Sequence, residues 1–292
     1  MSTVKFIISS SADNLSTELK KFASTATVEA EYGESVVEGS VLTLAHHGSR
    51  STNPAPCLAT NRRNDNIEVV GLSHIDLDSL GGCAAIIGCK PEMPSFWALA
   101  AYVDINGPHK LSAAEANERD ARRLYAFWAW SDNHRVFPPR DGSILNVTDK
   151  VTEGIEIIGK IIAGDQELLE AGDGFKKAKE LLNKNSFVEE ISGVIVRVAG
   201  AFTNHLYETP EGKVCKATIA LRTDFSSLTV SFADPISGAS CRDIVQSVWT
   251  DKDDKGNFLA GGHDTIAGSP RGKKVGLDDL IQLRDETVKA VS

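Results

Sequence analysis

His74, Asp76 and Asp78 stand at every second position of G-L-S-H-I-D-L-D-S-L-G-G, residues 71–82, directly after the apolar run I-E-V-V-G-L. An imidazole and two carboxylates are donors that hold hard or borderline divalent cations, Mn²⁺ first, with Mg²⁺ and Co²⁺ as alternatives. Read as the end of a strand, the alternation sends all three side chains off one face. The plainer reading is a polar strand end that caps the next helix. The association of histidine with aspartate or glycine recurs in Asp104 and His109 of Y-V-D-I-N-G-P-H-K-L, in Asp132 and His134 of W-A-W-S-D-N-H-R-V-F, and in His46 and His47 of L-A-H-H-G-S. Carboxylates are numerous enough for two ions, and a pair of divalent ions about 4 Å apart suits hydrolytic attack on phosphorus. Each group has a structural alternative: an Asx turn at Asp104, a turn cap at Asp132, a glycine-supported turn at His46 and His47. His205 in T-N-H-L-Y reads as surface or packing.

These residues follow short apolar runs: V-K-F-I-I-S, S-V-L-T-L-A before His46, I-E-V-V-G-L before Ser73, and F-W-A-L-A-A-Y-V before Asp104. Alternation of such runs with helical patterns predicts an α/β fold with a parallel sheet and ligands at the carboxyl ends of its strands. A helix is expected from Ser112, where S-A-A-E forms a capping box with Glu115, and a second helical region from roughly 150 to 184. The polar N-K-N-S at 183–186 marks a boundary between residues 1–185 and a smaller mixed α/β domain, 186–292. There I-S-G-V-I-V-R-V-A-G-A-F, C-K-A-T-I-A-L-R and L-T-V-S-F-A read as strands, followed by a helix in C-R-D-I-V-Q-S-V-W. In the glycine-rich A-G-G-H-D-T-I-A-G, Gly261 and Gly262 allow close approach of backbone to a phosphate, and His263 offers a donor. Arg242 and Arg271 add charge-assisted contacts. Trp97, Tyr125, Trp128 and Trp130 read as core, and the cysteines as small buried hydrophobes.

S-H-I-D-L-D-S-L-G-G-C-A-A resembles the first motif of the DHH phosphoesterase superfamily, and A-G-G-H-D-T-I-A-G resembles the glycine-rich end of the DHH-associated substrate domain. The two lie in the family's order and cover both halves of the chain. The resemblance implies a metal-binding catalytic domain followed by a substrate-binding domain, with a dimanganese-type site. Carried over, His74, Asp76 and Asp78 are first-motif ligands, and Asp132 is the late aspartate after a helix, with His134 beside it. The Asp-His-His triplet itself is absent, and Asp104 with His109 stands in for it, His109 binding metal or stabilising developing charge. His46 and His47 belong to no DHH motif. L-A-H-H-G-S resembles a segment of metallo-β-lactamase-fold proteins, but the motif order is reversed, so the pair is expected on an added loop near the metals or the scissile phosphate.

The 292 residues carry a net charge of -9, with 41% hydrophobic and 24% charged residues. That is an ordinary globular composition whose acidic balance argues against long duplex nucleic acid as a partner. A small anionic nucleotide, held by a locally positive metal site, remains compatible. Five cysteines without a C-x-x-C pair, no signal-like segment and no long apolar run lead to an expectation of a cytoplasmic, non-membrane protein. A homodimer is compatible with the sequence. The expected activity is phosphoester hydrolysis of short oligonucleotides, cyclic dinucleotides or small nucleoside phosphates. Its rivals are a nucleotide-binding pseudoenzyme or sensor of the same fold and a metallohydrolase acting on a non-nucleotide substrate.

Overall fold

A computed structural model describes residues 4–62, 66–114 and 116–292, and the chain divides by contacts into Met1–Lys176 and Lys177–Ser292. In the first unit β1 (Lys5–Ile8) leads into α1 (Ala12–Leu19), capped by Ser11, and then β2 (Thr25–Val28). A small hairpin, β3 (Glu31–Tyr32) and β4 (Ser35–Val36), precedes β5 (Leu42–Leu44) and β6 (Val69–Leu72). Four helices follow: α2 (Leu77–Ile86), α3 (Pro94–Asn106), α4 (Glu118–Asn133) and, after the short β7 (Leu145–Asn146), α5 (Thr148–Ala163). Gly164, in the left-handed conformation, ends α5, and α6 (Gln166–Ser186) runs across the division into the second unit.

The sheet order is β5-β2-β6-β1-β7, with β1, β2, β5 and β6 parallel and β7 antiparallel at the edge. Its central strands are apolar throughout because both faces are covered: Ile8, Val28, Val70 and Leu72 are wholly buried. In the second unit, β8 (Phe187–Ile191), β9 (Val194–Ala199), β10 (Ala217–Arg222), β11 (Leu228–Phe232), β12 (Gly261–Gly262) and β13 (Ile266–Gly268) form a mixed sheet in the order β12-β13-β11-β10-β9-β8. Helices α7 (Cys241–Val248) and α8 (Leu277–Val291) pack on it around Ile219, Val230, Val245 and Leu283. Both units are therefore α/β. Among the described residues no helix is long and apolar enough to cross a membrane.

Three local expectations are corrected. F-W-A-L-A-A-Y-V is not a strand but the body of α3, started by Pro94 and buried at Phe96, Trp97, Leu99, Ala100, Ala101 and Val103. An apolar run alone does not separate a buried strand from a buried helix; proline at the first position and the length of 13 residues decide for the helix. The helix expected from Ser112 begins at Glu118, where the Asn117 side chain accepts from the Asp120 amide; Ser112 falls in the 3-10 turn Pro108–Ala113, and Glu115 lies outside the described residues. Cys57, Cys83, Cys215 and Cys241 are buried as expected, but Cys89 is exposed.

Gly81 and Gly82 lie inside α2 rather than at its start, and they set how closely it packs. A Cβ on Gly81 would stand 2.6 Å from Cys57 Cβ and 2.8 Å from Trp97; one on Gly82 would stand 2.8 Å from Val28 Cγ1. Replacing Gly81→Ala is expected to destabilise the chain by about 1–3 kcal/mol through overpacking. Gly159→Ala in α5, where nothing lies within 4 Å, should be neutral or stabilising by up to ~1 kcal/mol. Urea unfolding of the two variants checks this, and an unchanged midpoint for Gly81→Ala would contradict the packing role.

Candidate metal centre

Strand order brings the donors together. β2 lies between β5 and β6, with Val28 in register with Leu44 on one side and Leu72 on the other. One residue beyond β2 is Glu29; two beyond β5 is His46; two beyond β6 is His74. The parallel strands thus deliver a carboxylate flanked by two imidazoles at one edge of the sheet. Glu29 Oε1 lies 3.0 Å from His46 Nε2, and Glu29 Oε2 lies 3.1 Å from His74 Nε2. Glu29 adopts φ 47°, a left-handed conformation uncommon for a residue with a side chain. Its carbonyl accepts from the Ser73 hydroxyl, which also lies 2.9 Å from His74 Nδ1 and so orients that ring.

The remaining donors come from helices. His74, Asp76 and Asp78 do converge, but not by strand alternation, because β6 has ended at Leu72. His74 is in the loop, Asp76 is the N-cap of α2, and Asp78 is in its first turn. Asp76 fulfils both roles weighed for it: Oδ1 accepts from the Ser79 amide at 2.8 Å, while Oδ2 lies 3.3 Å from His74 Nε2. The buried Asp78 accepts the Cys57 amide on Oδ1 at 2.8 Å and turns Oδ2 to 3.2 Å from His46 Nε2. From the far end of α3, Asp104 Oδ2 comes within 3.0 Å of the same nitrogen. His47, half exposed and tilted against His46, holds Nε2 3.7 Å from both Glu29 and Asp104. Glu31 Oε1 fixes the histidine pair from behind by accepting the amides of His46 and His47 at 2.7 and 2.9 Å.

Two overlapping sets of ligand atoms result: Glu29, His46, His47 and Asp104; and Glu29, His74 and Asp76. The fit to a cation is chemical. One imidazole nitrogen faces three carboxylates and can serve only one of them well, so Asp78 Oδ2 and Asp104 Oδ2 are buried without a hydrogen bond although each lies close to it. Donors about 2.1 Å from an octahedral ion stand ~3 Å from one another, which is the spacing observed here.

The same crowding perturbs the protonation equilibria. Burial pushes Glu29 up to about 7, helped by the charge of Asp76 and partly offset by bonds from His46 and His74. Burial works against charge on His46 and His74, but the carboxylates outweigh it and raise them to about 12 and about 11. For Asp76 desolvation also opposes ionisation, yet His74 and Ser79 bring it down to about 2.

The structure does not bring the other sequence candidates to this cluster. Asp132 is exposed and pairs with Arg135 at 2.6 Å. His134 stacks on Trp130 and points Nε2 at Glu153, 3.9 Å away. The long helix that led to their assignment ends in solvent, so its last turn offers no desolvated cavity. His109, in the Pro108–Ala113 turn with its ring against Gly107, belongs to neither ligand set. Asp104 therefore enters without His109, and the adjacent histidines are His46 and His47. Sequence reading missed Glu29 altogether. T-A-T-V-E gave only a weak local signal, because the four residues before Glu29 are half threonine rather than an apolar run.

In the second unit, Gly262 has φ 155°, and a Cβ there would meet Ile266 O at 2.4 Å, so the tight hairpin closed by His263 N to Ile266 O requires glycine. Arg242 donates to Gly262 O at 2.9 Å and faces Asp264 at 3.8 Å, bracing this exposed loop from α7. Arg271 is exposed in a separate turn before α8.

Comparison with family models and with curated protein sequences gives no match. Among solved structures, a pGpG-specific phosphodiesterase, PggH from Vibrio cholerae, is similar over 100% of this chain and 99% of its own at 9% identity and a TM-score of 0.42. An uncharacterized protein from Helicobacter pylori G27 is similar over 79% of this chain and 76% of its own, at 8% identity and a TM-score of 0.20.

His46 and His74 carry protons in the metal-free chain at neutral pH, since both are raised far above 7. A ligating imidazole must be neutral, so loading with Mn²⁺ should release protons, about two per chain, and affinity should rise with pH. Calorimetric titration with Mn²⁺ in two buffers of different ionisation enthalpy measures the release. Binding without proton release would contradict ligation by these histidines.

Proposed function

We propose that the chain is a metal-dependent phosphoesterase that hydrolyses phosphoester bonds of short oligonucleotides, cyclic dinucleotides or small nucleoside phosphates. The observation that carries the reading is one buried carboxylate, Glu29, with one oxygen turned to each of two histidines that follow the flanking strands. A carboxylate so placed suits a bridge between two divalent ions, Mn²⁺ being favoured by the mixture of imidazole and carboxylate donors. His46, His47, Asp78 and Asp104 would hold one ion and His74 with Asp76 the other, Glu29 being shared. Bound there, the ions would polarise phosphoryl oxygens and acidify a water for in-line attack.

The chain's own residues divide the remaining work. His46, buried, fixes the ligand geometry. His47, half exposed at 49% of its side chain, is the solvent-facing member of that ligand set. Glu31 holds both backbones in register. Asp78 transmits the position of the Pro56–Leu58 turn to the site through the Cys57 amide. Taken by itself, the second unit offers the hairpin at Gly261, Gly262 and His263, which would suit contact with a phosphate. The amide of His263 is committed to Ile266, so the ring and the flanking Arg242 are the donors left for that task, with Arg271 further along the chain.

Charge supports the substrate class. With four carboxylates at the site and a chain charge of -9, a phosphate approaches only where cations have compensated the local field. Short ligands fit that restriction better than a polyanion tracked along the surface.

Hydrolysis of bis(p-nitrophenyl) phosphate and of 5′-phosphorylated dinucleotides with Mn²⁺ tests the reading. Asp78→Ala and His46→Ala should each lower the manganese-dependent rate by more than ~100-fold, as expected when a metal ligand or its support is lost. Asp132→Ala should leave it unchanged, because that side chain pairs with Arg135 on the surface. Full activity in Asp78→Ala, or loss in Asp132→Ala, would count against the assignment.

A further inference from the structure

The loop from Arg135 to Ile144 lies by the end of β1 in the first unit and is not used by the metal site. It reads R-V-F-P-P-R-D-G-S-I and is tied to the β1–α1 turn at several points. The Ser10 hydroxyl donates to Pro139 O, the Ser9 hydroxyl to Gly142 O at 2.7 Å, and the Asn14 side-chain Nδ2 to the same carbonyl at 2.8 Å. Gly142 has φ 77°, and a Cβ on it would meet Ser11 Cβ at 2.8 Å, so the loop is seated closely on that turn. Two consecutive prolines stiffen it further.

A loop pinned in this way could have buried its aromatic residue, but it does the reverse. Phe137 is 73% exposed, more than any other exposed large hydrophobic side chain among the described residues. Arg140, also exposed, has no hydrogen-bond or ion-pair partner among the described residues. Together with Pro138 and Ser10 they line an open pocket of about 640 Å³. The acid next in sequence does not compete for Arg140, since Asp141 Oδ1 accepts the Ser143 amide and hydroxyl at 3.0 and 2.8 Å.

The pocket residue Ser10 follows β1, the strand that pairs with β6, after which His74 stands. Ile8 is in register with Leu72, and Ser9 N still donates to Leu72 O at 3.3 Å, so Ser9 and Ser10 leave the sheet alongside Ser73 and His74. Neighbouring strands stand ~5 Å apart. Tyr32 joins the same point, donating to Ser9 O at 2.9 Å.

We propose that this pocket is a nucleotide subsite of the first unit, in which Phe137 stacks on a nucleobase and Arg140 pairs with a phosphate one residue away from the scissile bond. An exposed aromatic held on a rigid loop offers stacking without an ordering cost, and an unpaired guanidinium beside it offers a forked donor to phosphate. The proposal rests on the phosphoesterase reading for its substrate, and it adds that substrate choice is made partly by the first unit.

The test is steady-state kinetics of the full chain with Mn²⁺ on a 5′-phosphorylated dinucleotide and on bis(p-nitrophenyl) phosphate, which has no base to stack. It is joined by calorimetric titration with a phosphorothioate-linked dinucleotide. Phe137→Ala should raise KM for the dinucleotide about tenfold with kcat within about twofold, leave the aryl ester unaffected, and weaken phosphorothioate binding equally. Phe137→Trp should restore both. Arg140→Ala should raise KM and flatten its dependence on salt. Hydrolysis with KM and binding unchanged in Phe137→Ala overturns the subsite and leaves the phosphoesterase reading standing. Binding that depends on Phe137 without hydrolysis of either substrate overturns the catalytic reading and retains the subsite. Neither binding nor hydrolysis by the wild-type chain overturns both.

Discussion

Glu29, Asp76, Asp78 and Asp104 are gathered around two imidazoles at the end of one parallel sheet, and negative charge so concentrated and partly buried is tolerated only with positive charge among it. Each oxygen that loses its water must be repaid by a proton, a cation or a donor hydrogen. The protein supplies few donors: one amide to Asp78, one to Asp76, and the two histidines between them. Without a metal, the imidazoles hold protons far above their ordinary range to meet this demand. The arrangement is costly as a structural core and reasonable as a cation receptor. That contrast, more than any single distance, sets what the site is built for.

The rest of the first unit follows from having to place these groups. Parallel pairing gives β2, β5 and β6 a common direction, so that their carboxyl ends share an edge, and the order β5-β2-β6 makes Glu29 the middle donor. Gly82 lets α2 approach Val28, the residue just before Glu29, and Gly81 lets it approach Cys57, whose amide Asp78 uses. Packing and ligation are therefore one constraint: a methyl group added on α2 would displace the carboxylate that the helix carries. α3 enters from the other side with Asp104 near its end, made possible by a helix buried at Phe96, Leu99, Ala100 and Val103.

Much of this was legible from the residues. The α/β class, the strands β1, β5 and β6, the sheet texture of the second unit and α7 all follow from periodicity and punctuation, and His74, Asp76, Asp78, Asp104, His46 and His47 stand where polar donors interrupt apolar runs. What failed did so for physical reasons. The i, i+2, i+4 spacing at His74 has the period of a strand, but the backbone turns into a helix there, and convergence comes from a loop, a cap and a first helical turn. Glu29 went unnoticed because strand adjacency is a long-range property: nothing local to T-A-T-V-E says that it lies between two histidine-bearing strands. Asp132 and His134 had the right residue types after a helix, but spacing along the chain does not say whether a helix ends against the sheet edge or in solvent.

Charge also explains why the two kinds of recognition should be separate. A site dominated by carboxylates would repel a phosphate until cations are bound, so affinity for the rest of such a ligand would have to come from elsewhere. Features suited to that are uncharged or cationic and lie outside the ligand cluster in the first unit: a rigidly presented phenyl ring and an unpaired guanidinium on the loop seated on the β1–α1 turn. Stacking is insensitive to the local field, which makes it the contact best able to operate beside an anionic cluster. On this argument the acidic centre would hold the cations, and the neutral and basic groups of the loop seated beside β1 would contact the rest of a ligand.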